Sequence, residues 1–345
     1  MGLWNKLFGQ TNTPATTHKT TSPSAVAKAP APQIRVVFMG TPPFASELLM
    51  TLIEDGYHIV GVITKADKPV GRTQEVSVSA VKKLALEYKL PILQPEKLND
   101  EAYAQFKEWQ PDILIVAAYG KILPKRFLEL PGFGAMNVHA SLLPLYRGSS
   151  PIQNVILDGK EETGITLMQM DAGMDTGDII VQKTVKISPD ETVEQLTAKL
   201  TLLAQKMLSE TLPLWVKKKI SATPQPEKGS SLCQLIERQD GQIIWNEEAR
   251  SIYNRYRALT PWPGIFTFWP QKNGLLRIKL HTISVIDDKE ETSIHGTVLL
   301  YENKLAIQAE RGIIIVEELQ LEGRNRMSAD TFLKGNPSFV GSVLK

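Results

Sequence analysis

The sequence has one cysteine, few histidines and no long apolar run. Cys233 is the only cysteine in 345 residues, and the five histidines are scattered along the chain. A lone cysteine excludes an internal disulfide framework, and scattered histidines give no metal-ligand spacing, so we expect no bound metal. No apolar stretch approaches the length that crosses a bilayer. We predict a cytoplasmic monomer without membrane contact, and an organellar matrix is the alternative location.

Acidic residues are absent from the first 46 positions, which carry four basic side chains. Residues 1–33 are also poor in large apolar side chains and rich in Thr, Ala and Pro. Such a composition buries too little surface to offset the entropy of ordering. We predict a disordered N-terminal extension. A transit peptide is the alternative, favoured by the missing acids and opposed by the near absence of arginine.

The remaining length and the distribution of charge indicate two domains. The hydrophobic fraction of 42% gives each of two domains enough apolar chain for a core. Residues 47–216 carry 17 basic and 22 acidic side chains, whereas residues 217–345 carry 18 and 15. Nucleic-acid contact must therefore come from local patches. We predict a first domain at 34–216, a linker at 217–231 and a second domain at 232–345.

The first domain alternates apolar runs with helical patterns, which predicts a doubly wound, mostly parallel α/β sheet. Continuous apolar runs, typical of parallel strands, occur at 34–40, 58–64 and 112–120. Thr41 is predicted to cap the first helix, with Pro42 at its first position. The sheet lacks the G-x-G-x-x-G pattern of a dinucleotide site. After Asp158 two alternating segments predict an antiparallel extension of the sheet, and a helix follows from Thr192.

The second domain is rich in short strands separated by turn residues, which predicts a small β-barrel of the oligonucleotide-binding type. The predicted strands are Gly241–Trp245, Gly264–Trp269, Leu276–Ile286, Gly296–Leu300, Leu305–Gln308 and Ile313–Leu319. A helix is predicted at Asn246–Leu259. We expect the aromatic residues of the stretch 257–266, Trp262 and Phe266, to pack in the barrel core rather than stack on bases.

One stretch brings chemically capable residues together. Asn137 and His139 lie two apart in an apolar run, so a strand there puts an amide donor and a titratable imidazole on one face. A strand-end histidine held only by structural bonds is the alternative interpretation. Ser150 is then predicted to cap a helix that begins at Pro151. Asp171, Asp175 and Asp178 follow among glycines, where the backbone can approach a ligand closely.

These residues carry a resemblance to a known family. The stretch NVHASLLPLYRGSSPIQ from Asn137 and the stretch ETGITLMQMDAGMDTGDI from Glu162 resemble the signature of the folate-dependent formyltransferases. RALTPWPGIF, from Arg257, resembles the hallmark of that family's second domain. The likeness runs from about Ile34 to about Leu333 and is strongest to the members that act on methionyl-tRNA.

The resemblance implies formyl transfer from 10-formyltetrahydrofolate to the α-amino group of methionine on initiator tRNA. In such a reaction Asn137 would donate hydrogen bonds to the developing oxyanion, and His139 would donate or relay a proton. Asp175 would pair with His139 and accept a proton from the amine. Cys233, expected in the other domain, is a poor nucleophile candidate.

The resemblance also implies where the two substrates bind. Ser141, Leu142, Leu143 and Pro144 would line the folate pocket, together with loops at 118–123 and 171–178. Arg72 lies in a long polar loop at 65–83, and such loops are commonly functional. By resemblance it would contact the acceptor stem of the tRNA, and the barrel domain would bind tRNA as well.

Three alternatives stay open. A nucleotide-amino-sugar formyltransferase shares the catalytic stretch but typically lacks the 65–83 loop. A 10-formyltetrahydrofolate hydrolase would use water in place of the amine at the same site. A non-enzymatic RNA-binding module, built on the barrel, would leave Asn137, His139 and Asp175 without a role.

Overall fold

A computed structural model describes residues 34–70, 75–226, 228–287 and 294–345. The predicted N-terminal extension at 1–33 and the predicted tRNA contact Arg72 lie outside these ranges. Within the described ranges, every helix is too short or too polar to cross a bilayer.

The first domain contains ten strands and six helices in the described ranges. Its strands are β1 (Arg35–Gly40), β2 (His58–Ile63), β3 (Lys68–Val70), β4 (Glu75–Ser77), β5 (Ile92–Leu93), β6 (Ile113–Ala117), β7 (Ala135–His139), β8 (Arg147–Gly148), β9 (Glu162–Gln169) and β10 (Ile179–Lys186). Its helices are α1 (Pro43–Glu54), α2 (Ala80–Glu87), α3 (Asp100–Glu108), α4 (Lys125–Glu129), α5 (Pro151–Leu157) and α6 (Val193–Val216).

Seven of these strands form one sheet in the order β10-β9-β7-β6-β1-β2-β5. The five strands from β5 to β7 are parallel, whereas β9 runs antiparallel to β7 and β10 antiparallel to β9. Both faces of the sheet are covered: Val36 and Phe38 of β1 face one buried cluster, and Val37 and Met39 face another. The predicted α/β fold, including its antiparallel extension, is confirmed.

The helices begin at or near the predicted residues, but the two predicted N-caps are not observed. Helix α1 begins at Pro43 with Pro42 at its N-cap, so the predicted cap at Thr41 is wrong by one residue. Helix α5 does begin at Pro151, but Ser150 makes no side-chain bond to it. The Ser150 hydroxyl instead accepts a hydrogen bond, 3.4 Å long, from the backbone N–H of Ile236 in a distant segment.

The second domain is an antiparallel half-barrel. Its elements are α7 (Ala249–Leu259), β12 (Ile265–Gln271), β13 (Gly274–Ile286), β14 (Val298–Tyr301), β15 (Lys304–Gln308), β16 (Ile313–Leu321), β17 (Met327–Ser328) and α8 (Ala329–Gly335), preceded by the short strand β11 (Leu232–Cys233). The sheet order is β12-β13-β16-β15-β14, with β17 on β16. Five predicted strands are confirmed to within a few residues. The sixth, Gly241–Trp245, is wrong: a 3₁₀ turn at Arg238–Gly241 occupies its start, and pairing is limited to one bridge.

The last residues of the chain span the gap between the two edge strands of the half-barrel. The backbone N–H of Val298 in β14 donates to the carbonyl of Ser342 at 2.9 Å. Phe268 of β12 and Lys345 exchange two bonds of 2.9 Å each. The open edges of β12 and β14 are thereby covered, which removes a template for unwanted pairing.

The segment between the domains is bound to the first domain at both of its ends. This connecting segment comprises residues 223–226 and 228–233. Thr223 and Ile179 exchange two backbone bonds of 2.8 Å. At the other end, β11 pairs in parallel with β8, matching Leu232 with Arg147 and Cys233 with Gly148.

Aromatic packing should carry much of the stability of the second domain. Phe332 is 1% exposed, and its ring centroid lies 4.9 Å from that of Phe339 and 6.2 Å from that of Trp269. We expect Phe332→Ala to lower the free energy of unfolding by about 3–5 kcal/mol, because it removes a large buried ring and leaves a cavity. Guanidinium denaturation would measure this. Leu300→Ala, at a residue that is 53% exposed on β14, should stay within about 0.5 kcal/mol of wild type. Equal losses in the two variants would contradict the assignment.

Candidate active site

Strand β7 presents two polar side chains at the carboxyl end of the parallel part of the sheet. Asn137 and His139 are 8% and 6% exposed, and they alternate with Met136 and Val138, which lie in the main core. The predicted shared face is therefore observed. Carboxyl ends of parallel strands are where open α/β sheets bind ligands.

The carboxylate of Asp175 lies between these two side chains. Asn137 Nδ2 donates to Asp175 Oδ1 at 3.2 Å, and His139 Nδ1 lies 3.6 Å from Asp175 Oδ2. The backbone N–H of Gly148 donates to the same Oδ2 at 2.9 Å. An amide, an imidazole and a carboxylate thus meet in one buried cluster.

The second nitrogen of His139 has a fixed partner. His139 Nε2 lies 2.9 Å from the backbone carbonyl oxygen of Tyr146. A carbonyl can only accept, so Nε2 carries a hydrogen. The nitrogen that can gain or lose a proton is therefore Nδ1, which faces Asp175.

The turn after β7 is held by a buried threonine. Thr166, on the β9 position opposite His139, is fully buried. Its Oγ1 donates to the carbonyl of Ser141 at 2.7 Å and accepts from the N–H of Leu143 at 3.1 Å. Gln182 Nε2 donates to the carbonyl of Leu143 at 2.6 Å and to Thr166 Oγ1 at 2.8 Å. This network gives the turn one conformation beside the imidazole.

The residues predicted to line the folate pocket form this same turn. Ser141 and Leu143 are buried, whereas Leu142 and Pro144 are half-buried. Ser141 Oγ donates to the carbonyl of Leu145 at 2.6 Å, so that hydroxyl serves the turn itself. The four residues begin two positions after His139, adjacent to the cluster.

An unusual backbone conformation lies at the end of the neighbouring strand β6. Ala118 has a φ of 45° and Gly120 a φ of 71°. A left-handed alanine is strained, and such strain concentrates at functional sites. The Lys121 ammonium donates to the carbonyls of Pro95 and Glu96, at 3.0 and 2.7 Å, which holds this turn against the sheet.

A cleft of about 750 Å³ opens at the other end of the β7–β9 pair. Its walls combine apolar side chains, exposed backbone and two lysines; they include Lys125, Leu128, Ala135, Gln169, Met170, Asp171, Ala172, Trp215 and Lys218. This volume is within the usual range for small-molecule sites. Of the segments predicted to bind folate, only 171–178 contributes to its lining. The cleft therefore lies at the amino end of β7, whereas the polar cluster and the Ser141–Pro144 turn lie at its carboxyl end.

Cys233 lies closer to the site than the sequence indicated. Its Sγ is 3.5 Å from the Tyr146 carbonyl that also binds His139, so the expectation of a distant cysteine is wrong. The cause is the pairing of β11 with β8. Burial raises the pKa of the Cys233 thiol, and the charge of Asp175 raises it further. The protonated thiol is a weak nucleophile, so Cys233 serves as packing.

The structure brings together three of the predicted site residues, Asn137, His139 and Asp175, and places the 141–144 turn beside them. Sequence reasoning missed Thr166, which holds the turn after β7, and Gln225, whose Nε2 donates to the backbone carbonyls of Asp175 and Gly177. Thr166 could have been found from strand register, because the alternation of β9 places it opposite His139. Within the described ranges, no group of three or more His, Cys, Asp or Glu side chains could hold a metal ion.

Comparisons with known proteins show the family to which the chain belongs. A family model for formyl transferases matches residues 34–212, and one for the C-terminal domain of formyl transferases matches residues 235–337. The methionyl-tRNA formyltransferase of Caldicellulosiruptor saccharolyticus is 44% identical over 90% of this chain and 99% of its own length. That of Desulforamulus reducens is 42% identical over 90% and 98%.

A solved structure of another N-formyltransferase has the same fold. The N-formyltransferase of Helicobacter canadensis, in complex with folinic acid and dTDP-3-aminofucose, has a TM-score of 0.61 at 20% identity. It covers 82% of this chain and 98% of its own. The two family models and the curated relatives show that the chain belongs to the formyl transferase family. Within it, the protein is an enzyme of the methionyl-tRNA formyltransferase group, which confirms the resemblance found in the sequence.

Gly148 is a position where the site requires glycine. Its φ is 115°, and an added Cβ would lie 2.4 Å from the carbonyl oxygen of Cys233. We expect Gly148→Ala to lower turnover by at least about 10-fold, because the substitution displaces Asp175 by a small distance. It should also lower the free energy of unfolding by about 1–3 kcal/mol. Steady-state kinetics and thermal melts would measure both. Gly335→Ala, where no atom lies within 4 Å of the added Cβ, should leave turnover unchanged. A fully active Gly148→Ala enzyme would contradict this role.

Proposed function

We propose that the protein transfers the formyl group of 10-formyltetrahydrofolate to the α-amino group of methionine carried by initiator tRNA. The observation that supports this most directly is the Asn137, Asp175 and His139 cluster, in which one carboxylate contacts an amide and faces an imidazole. Formyl transfer needs one group to stabilise an oxyanion and others to move a proton from the attacking amine. The cluster offers both.

Asn137 is suited to bind the oxygen that becomes negative. Amine attack on the formyl carbon converts its carbonyl oxygen to an oxyanion. The Asn137 carboxamide has two N–H groups, and Asp175 accepts from that nitrogen at 3.2 Å. We assign the other N–H to the oxyanion. A preorganised donor of this kind typically contributes about 10²–10³ in rate.

Asp175 and His139 are suited to move the proton. In the overall reaction the amine nitrogen gains the formyl carbon and loses one proton, and the departing folate nitrogen gains one. Asp175, held by the Gly148 N–H, can take the proton from the amine. His139 can return a proton from Nδ1, because its Nε2 stays bound to the Tyr146 carbonyl. General acid–base catalysis contributes about 10²–10⁴.

The loops around the cluster suit an elongated co-substrate. The turn of Ser141, Leu142, Leu143 and Pro144 follows β7, the loop at 118–123 follows β6, and the loop at 171–178 carries Asp175. We propose that the folate binds along these three loops, at the carboxyl end of the parallel strands. A formyl group at this edge would meet the cluster.

One face of the half-barrel supports a contact with tRNA. Alternation along β13 places Arg277, Lys279 and His281 on the face away from the core, with Phe266 of β12 paired beside them. The Arg277 guanidinium lies 3.7 Å from the centroid of the Phe266 ring. Burial and the charge of Arg277 lower the pKa of Lys279. Clustered cations with aromatic rings are typical of surfaces that bind nucleic-acid backbones.

Trp262 differs from the other aromatic residues of this domain. Trp269 is 7% exposed and lies in the barrel core, and Phe266 is 6% exposed but packs against Arg277 on the face away from the core, whereas Trp262 is 57% exposed. The prediction of core packing is therefore wrong for Trp262 and for Phe266. The backbone carbonyl of its neighbour Pro263 accepts a hydrogen bond of 3.1 Å from the Lys279 ammonium. The Trp262 indole therefore lies beside the face that carries Arg277, Lys279 and His281. An exposed indole there is available for stacking on a base.

A direct assay distinguishes the proposal from its rivals. Purified protein would be given 10-formyltetrahydrofolate with initiator methionyl-tRNA, with a nucleotide amino-sugar, or with water alone. We expect formyl transfer to methionyl-tRNA to be at least 100-fold faster than to the sugar. Faster transfer to the sugar would indicate the nucleotide-sugar alternative, and release of formate without an acceptor would indicate the hydrolase.

Single substitutions test the assigned chemistry. Alanine at Asn137, His139 or Asp175 should each lower turnover by at least about 10²-fold, because each removes a donor or a proton carrier. Turnover would be measured at saturating substrates, together with melting temperatures to establish folding. Leu202→Ala, at a residue that is 69% exposed on α6, is the matched control and should be fully active. Near-normal turnover of Asn137→Ala would rule out the oxyanion assignment.

Arg72 tests tRNA recognition separately from chemistry. If this side chain reads the acceptor end, Arg72→Ala should slow transfer to methionyl-tRNA by about 1–3 kcal/mol and reduce discrimination between initiator and elongator tRNA. Binding of the folate should be unchanged. Loss of a phosphate contact alone would instead lower the salt slope by about one unit. Rates on both tRNAs across a salt series would decide, and unchanged rates and discrimination would remove Arg72 from the tRNA site.

A further inference from the structure

We infer that Gln225, in the connecting segment, is a positioning residue for formyl transfer: its carboxamide fixes the turn that carries Asp175. This inference rests on the proposed function of the Asn137, His139 and Asp175 cluster. Gln225 touches no reacting atom in this assignment. It acts through the backbone of the aspartate.

The carboxamide of Gln225 has partners on both sides. Its Nε2 donates to the backbone carbonyl of Asp175 at 2.9 Å and to that of Gly177 at 2.7 Å. Its Oε1 accepts from Arg147 Nε at 3.1 Å and from Arg147 Nη2 at 2.6 Å. Carbonyls only accept and a guanidinium only donates, so the amide has a single orientation that satisfies all four contacts.

The turn that Gln225 holds needs external support. Asp175 has a φ of 53°, a left-handed conformation that is strained for a non-glycine residue. Gly177 is pressed against the backbone, since a Cβ there would lie 1.9 Å from the Gln169 carbonyl oxygen. The other side of the turn is held by Asp171, whose carboxylate accepts from the Gly173 N–H and the Thr176 hydroxyl. Gln225 supplies the matching restraint at Asp175 and Gly177.

Arg147 connects this restraint to the carboxylate. It is the residue next to Gly148, whose N–H donates to Asp175 Oδ2. Arg147 and Gly148 form β8, which pairs with β11 of the same connecting segment. The backbone of Asp175 and the donor to its side chain are therefore both fixed relative to one segment. Loss of the amide donors should displace the carboxylate from His139 without removing any chemical group.

Two substitutions separate positioning from simple anchoring. Gln225→Glu keeps an acceptor for Arg147 but cannot donate to the carbonyls of Asp175 and Gly177. Gln225→Ala removes both sets of bonds. Gln234→Ala, at an exposed glutamine of the same stretch, is the matched control. The readouts are kcat, KM for both substrates, melting temperature, and amide hydrogen exchange over residues 171–178.

We expect Gln225→Glu to lower kcat by about 10- to 100-fold, the effect of a small misplacement of a reacting group. Its KM values should stay within twofold, and its melting temperature should stay near that of wild type because the bond to Arg147 remains. Exchange over 171–178 should be faster than in wild type, since the turn opens locally more often. Gln225→Ala should show the same loss of kcat with a lower melting temperature. Gln234→Ala should match wild type throughout.

Two results would overturn the inference. Wild-type kcat in Gln225→Glu, with a loss only in Gln225→Ala, would make the amide an anchor for Arg147 and nothing more. Unchanged exchange over 171–178 in both Gln225 variants would show that the turn is held without it. If the wild-type enzyme failed to formylate methionyl-tRNA, the proposed function would fall, and the exchange data would still decide whether Gln225 holds the turn.

Discussion

The partly buried carboxylate of Asp175 is the group on which the rest of the site depends. A charge at 16% exposure is stable only if donors surround it, and the Gly148 N–H and the Asn137 amide supply two. The Gly148 donor in turn requires a glycine, since a Cβ would collide with the Cys233 carbonyl. The position of one charge thus constrains the backbone of two separate loops and the segment between the domains.

The sequence predicted the sheet and the polar pair on β7 because both follow from local periodicity. Buried parallel strands are continuous apolar runs, and alternation alone places Asn137 and His139 on one face. What it could not predict depends on contacts distant in sequence. Ser150 lies in a sequence pattern typical of a helix N-cap, yet its hydroxyl accepts a hydrogen bond from the N–H of Ile236, 86 residues away. Gln225 lies in a proline-containing stretch whose composition is typical of a linker, and no local pattern marks it as part of the site.

The half-barrel shows the same division between local and distant information. Strands from β12 to β16 follow from alternation and turn residues, whereas the closure of its edges by residues 342–345 depends on pairing with Phe268 and Val298. Residue type alone could not show that Trp262 is exposed and Phe266 buried, because burial depends on where each residue lies in the fold. Phe266 lies on a strand between neighbours, and Trp262 lies in the loop before it.

The pairing of β8 with β11 has a consequence for the order in which the molecule is completed during synthesis. All seven strands of the main sheet have been made once Lys186 has left the ribosome. The segment that fixes Arg147 and Gly148 follows only at Leu232 and Cys233. Domains generally fold as units from the N-terminus. A nascent chain can therefore hold a folded sheet before the segment that supports Asp175 has been made, so folding of the first domain precedes completion of its polar cluster.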